Sequence, residues 1–124
     1  MNKIEERPWG TYEILAEEET FKVKKIVVNA GKRLSLQSHK HRKEHWTIVA
    51  GNPLVTNDHA TYVAKPEDTI VIEKGSLHRI QAVDTDVVFI EIQTGTYFGE
   101  DDIIRYDDDF GRAQLLLVLD LIVI

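Results

Sequence analysis

The densest chemical signal in the 124 residues is the run Gln37-Ser38-His39-Lys40-His41-Arg42-Lys43-Glu44-His45, which holds three of the five histidines. Side chains alternate along an extended strand, so Gln37, His39 and His41 would share one side. Glu44 follows a bend expected at Lys40 to Lys43 and can return to the same place on the next strand. An imidazole, a carboxylate and an amide oxygen on neighbouring strands make a partial coordination sphere for a divalent ion. A fourth ligand has to come from elsewhere in the chain. His78, three residues after Gly75 at the start of another β-rich run, suits that place better than His59 in its turn-rich surroundings. Alone, a histidine cluster on a polar strand is as often a solvated face. The separate His78 and the flanking glycines tilt the reading toward a metal site.

The elements that must position these residues read as strands. Phe21 to Val28, Leu34 to His39, His45 to Val49, Leu54 to Thr56, His59 to Val63, Thr69 to Ile72, His78 to Val83 and Val87 to Ile92 are β-rich or alternating segments. Turn signals separate them, at Asn29-Ala30-Gly31, Gly51-Asn52-Pro53, Asn57-Asp58, Glu73-Lys74-Gly75 and Asp84-Thr85-Asp86. Short strands at this spacing predict an all-β sandwich or small barrel. Arg7-Pro8-Trp9-Gly10 reads as a rigid turn, with Tyr12, Ile14 and Leu15 on an edge strand after it. Gly99 to Arg112 carries Asp101-Asp102 and Asp107-Asp108-Asp109 around Arg105, a pattern shared by solvated loops and functional ones. Ala113 to Ile124 is apolar apart from Gln114 and Asp120, and is expected to cover an exposed edge within the monomer or across a dimer.

Composition narrows the classes. A chain of 124 residues suits one domain with one core. The absence of cysteine excludes thiol catalysis, disulfides and Cys-ligated zinc. Twenty-one acids against fifteen bases give a net charge of -6, which disfavours a nucleic-acid partner. The charged N-terminal segment lacks the apolar stretch of a signal peptide, and no apolar run is long enough to span a bilayer. A soluble cytoplasmic domain with no membrane partner is the expectation.

Gly31-x5-Gln37-x-His39-x4-Glu44-x6-Gly51 resembles the first cupin motif, with Gln37 where a histidine is usual, and Gly75-x2-His78 resembles the core of the second. Glu73 and Ala82 stand where that second motif has proline and asparagine. The combination of Arg7-Pro8-Trp9-Gly10, Val23-Lys24-Lys25-Ile26, Leu34-Ser35-Leu36-Gln37, His41-Arg42-x-Glu44-His45-Trp46 and Gly99-Glu100-Asp101-Asp102-Ile103 is similar to type II phosphomannose isomerases, over about residues 7 to 112. The resemblance implies a six- to eight-stranded cupin jelly-roll barrel over residues 1–112, with 113–124 as the apolar tail, dimeric through its edges and that tail. It implies Gln37, His39, Glu44 and His78 as ligands of a divalent ion, and sets His41 and His45 outside that shell, lining or flanking the pocket. The amide oxygen of Gln37 tolerates Zn, Mn, Co, Ni or Fe without selecting among them. In such families the domain stands alone or follows a guanylyltransferase domain; the glycine-rich nucleotide loop that activity needs has no counterpart here.

The implied reaction is the interconversion of mannose 6-phosphate and fructose 6-phosphate, supplying nucleotide-sugar and polysaccharide synthesis. It needs a base with a pKa near the working pH. Glu91 shares a strand face with Phe89 and Gln93 and is the first candidate, with His41 and His45 as competing bases. Arg33, Lys24, Arg42 and Arg105 are candidates for holding the phosphate, with Lys25, Arg79 and Arg112 behind them, and Gln93 for a substrate contact. Two other readings stay open: a non-catalytic sugar- or effector-binding cupin, and a cupin dioxygenase, against which Gln37 argues.

Overall fold

The computed structural model describes residues 3–112. Short strands dominate the chain because β-branched and aromatic residues are punctuated by tight turns. Eleven strands follow one another among the described residues: β1 (Ile4–Arg7), β2 (Gly10–Glu17), β3 (Phe21–Val28), β4 (Leu36–His39), β5 (Arg42–Ala50), β6 (Leu54–Asn57), β7 (Ala60–Val63), β8 (Thr69–Ile72), β9 (His78–Gln81), β10 (Val87–Gly95) and β11 (Ile103–Asp107). One 3-10 turn, Glu100–Asp102, is the sole helical element among these residues, and no helix is long and apolar enough to cross a membrane.

The strands form two antiparallel sheets, ordered β1-β2-β3-β10-β5-β8 and β11-β4-β9-β6-β7. The all-β jelly-roll expectation holds; the count of six to eight strands is too low. Two unexpected strands, β1 and β11, and one earlier strand start are the local corrections. β1 pairs with β2 through the Pro8-Trp9 turn, so β1 takes the edge assigned to β2. The acidic segment 99–112 contains β11, which pairs with β4 and buries Ile103. The strand holding Glu44 begins at Arg42 rather than His45. The apolar tail lies outside the described residues.

The core lies between the sheets. Trp46 and Ile48 of β5 and Phe89 of β10 face Ile80 of β9 and Val55 of β6, all at 2% exposure or less. Trp46 meets Phe89 with ring centroids 5.2 Å apart. Burying side chains of this size contributes about 1.5–3 kcal/mol each, and that packing fixes the inward faces of β5 and β10. Phe89, Ile48, Trp46 and Ile80 are thus part of the barrel's inner layer.

Two glycines bracket the β5–β10 ladder. Gly95 has φ +150°, and a Cβ there would lie 2.2 Å from the His41 carbonyl oxygen; Gly51 has φ +85°, and its Cβ would lie 2.5 Å from that of Asp86. Neither place admits a side chain without moving the backbone.

Candidate metal centre and its cavity

Four strands deliver the polar interior. β4 carries Gln37 and His39, β5 carries Arg42 and Glu44, β9 carries His78, and β10 carries Glu91 and Gln93. Gln37 pairs with His78 in one sheet; Glu44 sits opposite Gln93, and Trp46 opposite Glu91, in the other. The groups meet across the interior because each is the inward partner of its strand's alternation.

His39, Glu44 and His78 are all buried, and each offers an atom within 4.8 Å of the others. His39 Nε2 lies 3.4 Å from Glu44 Oε2 and 3.3 Å from Gln37 Oε1. His78 Nε2 lies 3.9 Å from Glu44 Oε1. Proton placement follows from the neighbours. His78 Nδ1 is 3.0 Å from the Ser76 carbonyl oxygen, which only accepts, so Nδ1 carries the proton and Nε2 keeps its lone pair. Arg42 Nη2 is 3.1 Å from His39 Nε2, and a guanidinium only donates, so that nitrogen is an acceptor as well. Burial and then the Arg42 guanidinium push the His39 imidazole down to about 2. Burial pushes His78 down to about 4 against the opposing pull of Ser76 and Glu91. Both rings are neutral at pH 7.

Two nitrogens, an amide oxygen and a carboxylate thus turn lone pairs toward one another, with no hydrogen between His39 Nε2 and Gln37 Oε1 to reconcile them. The set fits a divalent cation, in ligand type and in the Ser76 contact that orients His78 from behind. Glu44 is held further by Trp46, whose Nε1 donates to Oε1 at 3.0 Å, and by Arg42, whose Nε donates to Oε2 at 3.0 Å.

A cavity of about 290 Å³ opens beside the cluster and is lined by Glu44, His78, Glu91, Lys24, Arg105 and Arg112 among others. That volume is at the lower end for small-ligand sites. Gln93 Nε2 donates to Glu91 Oε1. Burial, and next the charge of Glu44, push the Glu91 carboxyl up to about 7. Ser35 Oγ, Arg42 Nη1 and Arg105 Nε, all on cavity-lining residues, are buried with no hydrogen-bond partner. Burial and the neighbouring Arg112 hold the Arg105 guanidinium below its ordinary range. Buried polar atoms are normally paired, so a cavity with such orphans fits a polar ligand.

The remaining candidates separate cleanly. Lys24 lines the cavity, 4.6 Å above the Tyr12 ring and 3.8 Å from Glu100. Gln93 is buried against Glu91 rather than exposed in the cavity wall. His45 is a correction: it takes the opposite face of β5 from Glu44 and Trp46, and so turns away from the cavity. His41 is another, being in the turn between β4 and β5, where it lines a separate shallow hollow with Tyr97, Asp101 and Asp102. Arg33 is a third. It lies outside the cavity lining, and Asp109 clamps its guanidinium through two 2.8 Å bonds. Arg42, expected at the phosphate, is instead bonded within the cluster. Arg79 and Arg112 line the cavity, paired with Asp107 and Asp108. Lys25 is exposed on β3. The Trp46 donation to Glu44 escaped the sequence reading, although the i, i+2 spacing on a strand places both on one face.

Residues 2–108 match the family model described as Mannose-6-phosphate isomerase C-terminal. The chain is 43% identical over 108 residues to the alginate biosynthesis protein AlgA of Pseudomonas aeruginosa, covering 86% of this chain and 22% of that one. It is 37% identical over 110 residues to the mannose-1-phosphate guanylyltransferase ManC of Salmonella typhimurium, covering 86% and 22%. It therefore spans about a fifth of the length of these relatives. Among solved structures, an RmlC-like cupin from Shewanella frigidimarina superposes with a TM-score of 0.70 at 18% identity, over 81% of this chain and 87% of that one. At that identity the likeness concerns the fold, which is the cupin double-stranded barrel. With the family model matching nearly all the described residues, the chain belongs to the mannose-6-phosphate isomerase C-terminal family.

Proposed function

We propose that this domain is a metal-dependent aldose–ketose isomerase that interconverts mannose 6-phosphate and fructose 6-phosphate. The observation that carries the reading is Glu91: a buried carboxyl pushed up to about 7, lining the same cavity as Gln37, Glu44 and His78, with His39 beside them in the ligand cluster. A base with that pKa accepts and returns a proton near neutrality. Gln37, His39, Glu44 and His78 would hold the divalent ion (Zn, Mn, Co, Ni or Fe). When bound, the ion supplies charge stabilisation to adjacent sugar oxygens as negative charge develops on them. Glu91 takes the proton from C2 of the aldose and returns it to C1, while the hydroxyl proton on O2 is exchanged for one on O1. Gln93 fixes the carboxyl by donating to it. Arg105, with its unpartnered Nε on a cavity-lining residue, and Lys24 hold the phosphate, because a buried guanidinium donor left without a partner is satisfied by an anion. A cytoplasmic setting and a homodimer complete the reading; the exposed β7 edge, with Tyr62 and Val63 uncovered, is a surface where a second copy can pair.

One observation favours a second reading, a metal-free sugar-binding module: Arg42 already supplies a cation to Glu44 and His39. Formation of fructose 6-phosphate from mannose 6-phosphate, followed by a coupled assay on stripped and metal-reconstituted protein, separates the two. Metal-dependent turnover that falls about 10²–10⁴-fold in Glu91→Gln supports the isomerase. Absence of turnover in the metal-loaded protein, with sugar phosphate still bound, supports the module.

A further inference from the structure

Arg42 is 4% exposed, and its guanidinium sits among the groups that suit a metal. Nε donates to Glu44 Oε2 at 3.0 Å, Nη2 to His39 Nε2 at 3.1 Å, and Nη1 has no partner. The carboxylate has lone pairs to share between a guanidinium and a second cation. The imidazole does not: a neutral ring nitrogen has one lone pair, and Arg42 is using it.

We propose that Arg42 and the divalent ion compete for His39 Nε2, so that the guanidinium is the resident cation of the metal-free site and must release that nitrogen when metal binds. The inference rests on the metal reading above and goes beyond it. Release leaves both terminal nitrogens of Arg42 unengaged at the cavity wall, a planar donor pair of the kind that binds two oxygens side by side. Metal loading and the capture of an oxygen-rich ligand are then coupled through one side chain.

The opposite expectation is just as definite. If Arg42 only orients Glu44 from behind, its removal should weaken metal binding, by about 10–100-fold for a group of that kind. Competition predicts the reverse sign. The full chain, stripped with EDTA, is titrated with Zn²⁺ by calorimetry and with Co²⁺ by its visible absorption, alongside Arg42→Met and Arg42→Lys. The expected result is a Kd lowered about 10- to 100-fold in Arg42→Met, the scale of one charged hydrogen bond, together with a lower melting temperature in EDTA. Equal or weaker metal binding by a folded variant overturns the inference while the metal reading stands. Metal bound by neither the unmodified protein nor the variants overturns both. Should Arg42→Met fail to fold without metal, the unmodified protein decides: the ¹⁵Nε–H resonance of Arg42 should shift on saturation with Zn²⁺, and an unmoved resonance overturns the inference.

Discussion

Replacing Glu91 by Gln removes one proton-binding site from the cavity, and the pH dependence of stability should show it. Glu91 is 6% exposed, and burial followed by the charge of Glu44 moves its pKa from 4.5 to about 7. Below pH 4.5 the carboxyl is protonated in the folded and the unfolded chain, and contributes no difference. Between 4.5 and 7 the unfolded chain releases the proton while the folded one retains it, so stability falls as pH rises. Above 7 both are ionised and the loss levels off. The distance from 4.5 to about 7 corresponds to about 3 kcal/mol. His39 and His78 act in the other direction. Their folded values of about 2 and about 4 lie below 6.5, so they raise stability as pH climbs toward 6.5. The curve of the unmodified protein therefore mixes opposing slopes, and only its difference from Glu91→Gln isolates the carboxyl. Urea denaturation in EDTA at pH 4.5, 6 and 8 measures that difference, provided the m-value is shared. Glu91→Gln should gain on the unmodified protein from near zero at pH 4.5 to about 3 kcal/mol at pH 8. A gap that stays constant across the three pH values, within about 0.5 kcal/mol, would refute the desolvated position assigned to Glu91 and with it the tuned base.

Three further outcomes are expected. Trp46→Ala, which removes a core ring packed on Phe89 and the donor to Glu44 Oε1, should cost about 3–5 kcal/mol by urea denaturation; a loss below about 1 kcal/mol would contradict its burial. His39→Ala should abolish most of the metal found by elemental analysis after dialysis against Zn²⁺, with the fold retained by circular dichroism. Arg105→Gln should raise the KM for mannose 6-phosphate about tenfold or more with a smaller change in kcat, as loss of a uniform phosphate contact requires; a kcat effect with unchanged KM would place Arg105 at the reacting carbons instead.

What the sequence disclosed depended on how strongly each residue's surroundings were written into its neighbours. β3 and β10 were legible because β-branched and aromatic residues are concentrated in them next to turn signals, at Asn29-Ala30-Gly31 and Asp84-Thr85-Asp86. β1 was not: Ile4-Glu5-Glu6-Arg7 buries almost nothing and is held in strand by its hairpin partner rather than by a hydrophobic face. β11 hid among acids because one buried residue, Ile103, and backbone pairing with β4 define it. Of the four expected donors, Gln37 and His39 share a face two residues apart, and Glu44 and His78 lie on the inward faces of β5 and β9, so alternation placed all four inside. His45 was expected to line or flank the pocket, yet its parity, opposite to that of Glu44 and Trp46, turns it outward on β5. The role of Arg42 was written in its i, i+2 spacing to Glu44, an opposite charge on the same face, but surface arginines are common enough that spacing alone did not decide it.

The glycines at the two ends of the β5–β10 ladder bear on how faithfully this interior is assembled. A slip of one residue would turn the apolar faces out to water and is forbidden by the core. A slip of two keeps every inward residue inward, so hydrophobic patterning raises no objection to it, yet it would bring Glu91 opposite Glu44 or Ile48 in place of Trp46. Gly95 and Gly51 supply the missing objection. With the strands displaced by two, Gln93 or Tyr97 would enter the place of Gly95, and Val49 or Pro53 that of Gly51, each against a carbonyl oxygen closer than 3 Å to its Cβ. The ladder is keyed at both ends like a lock with two wards, and only the alignment that sets the carboxyl of Glu91 beside Trp46 lets it close.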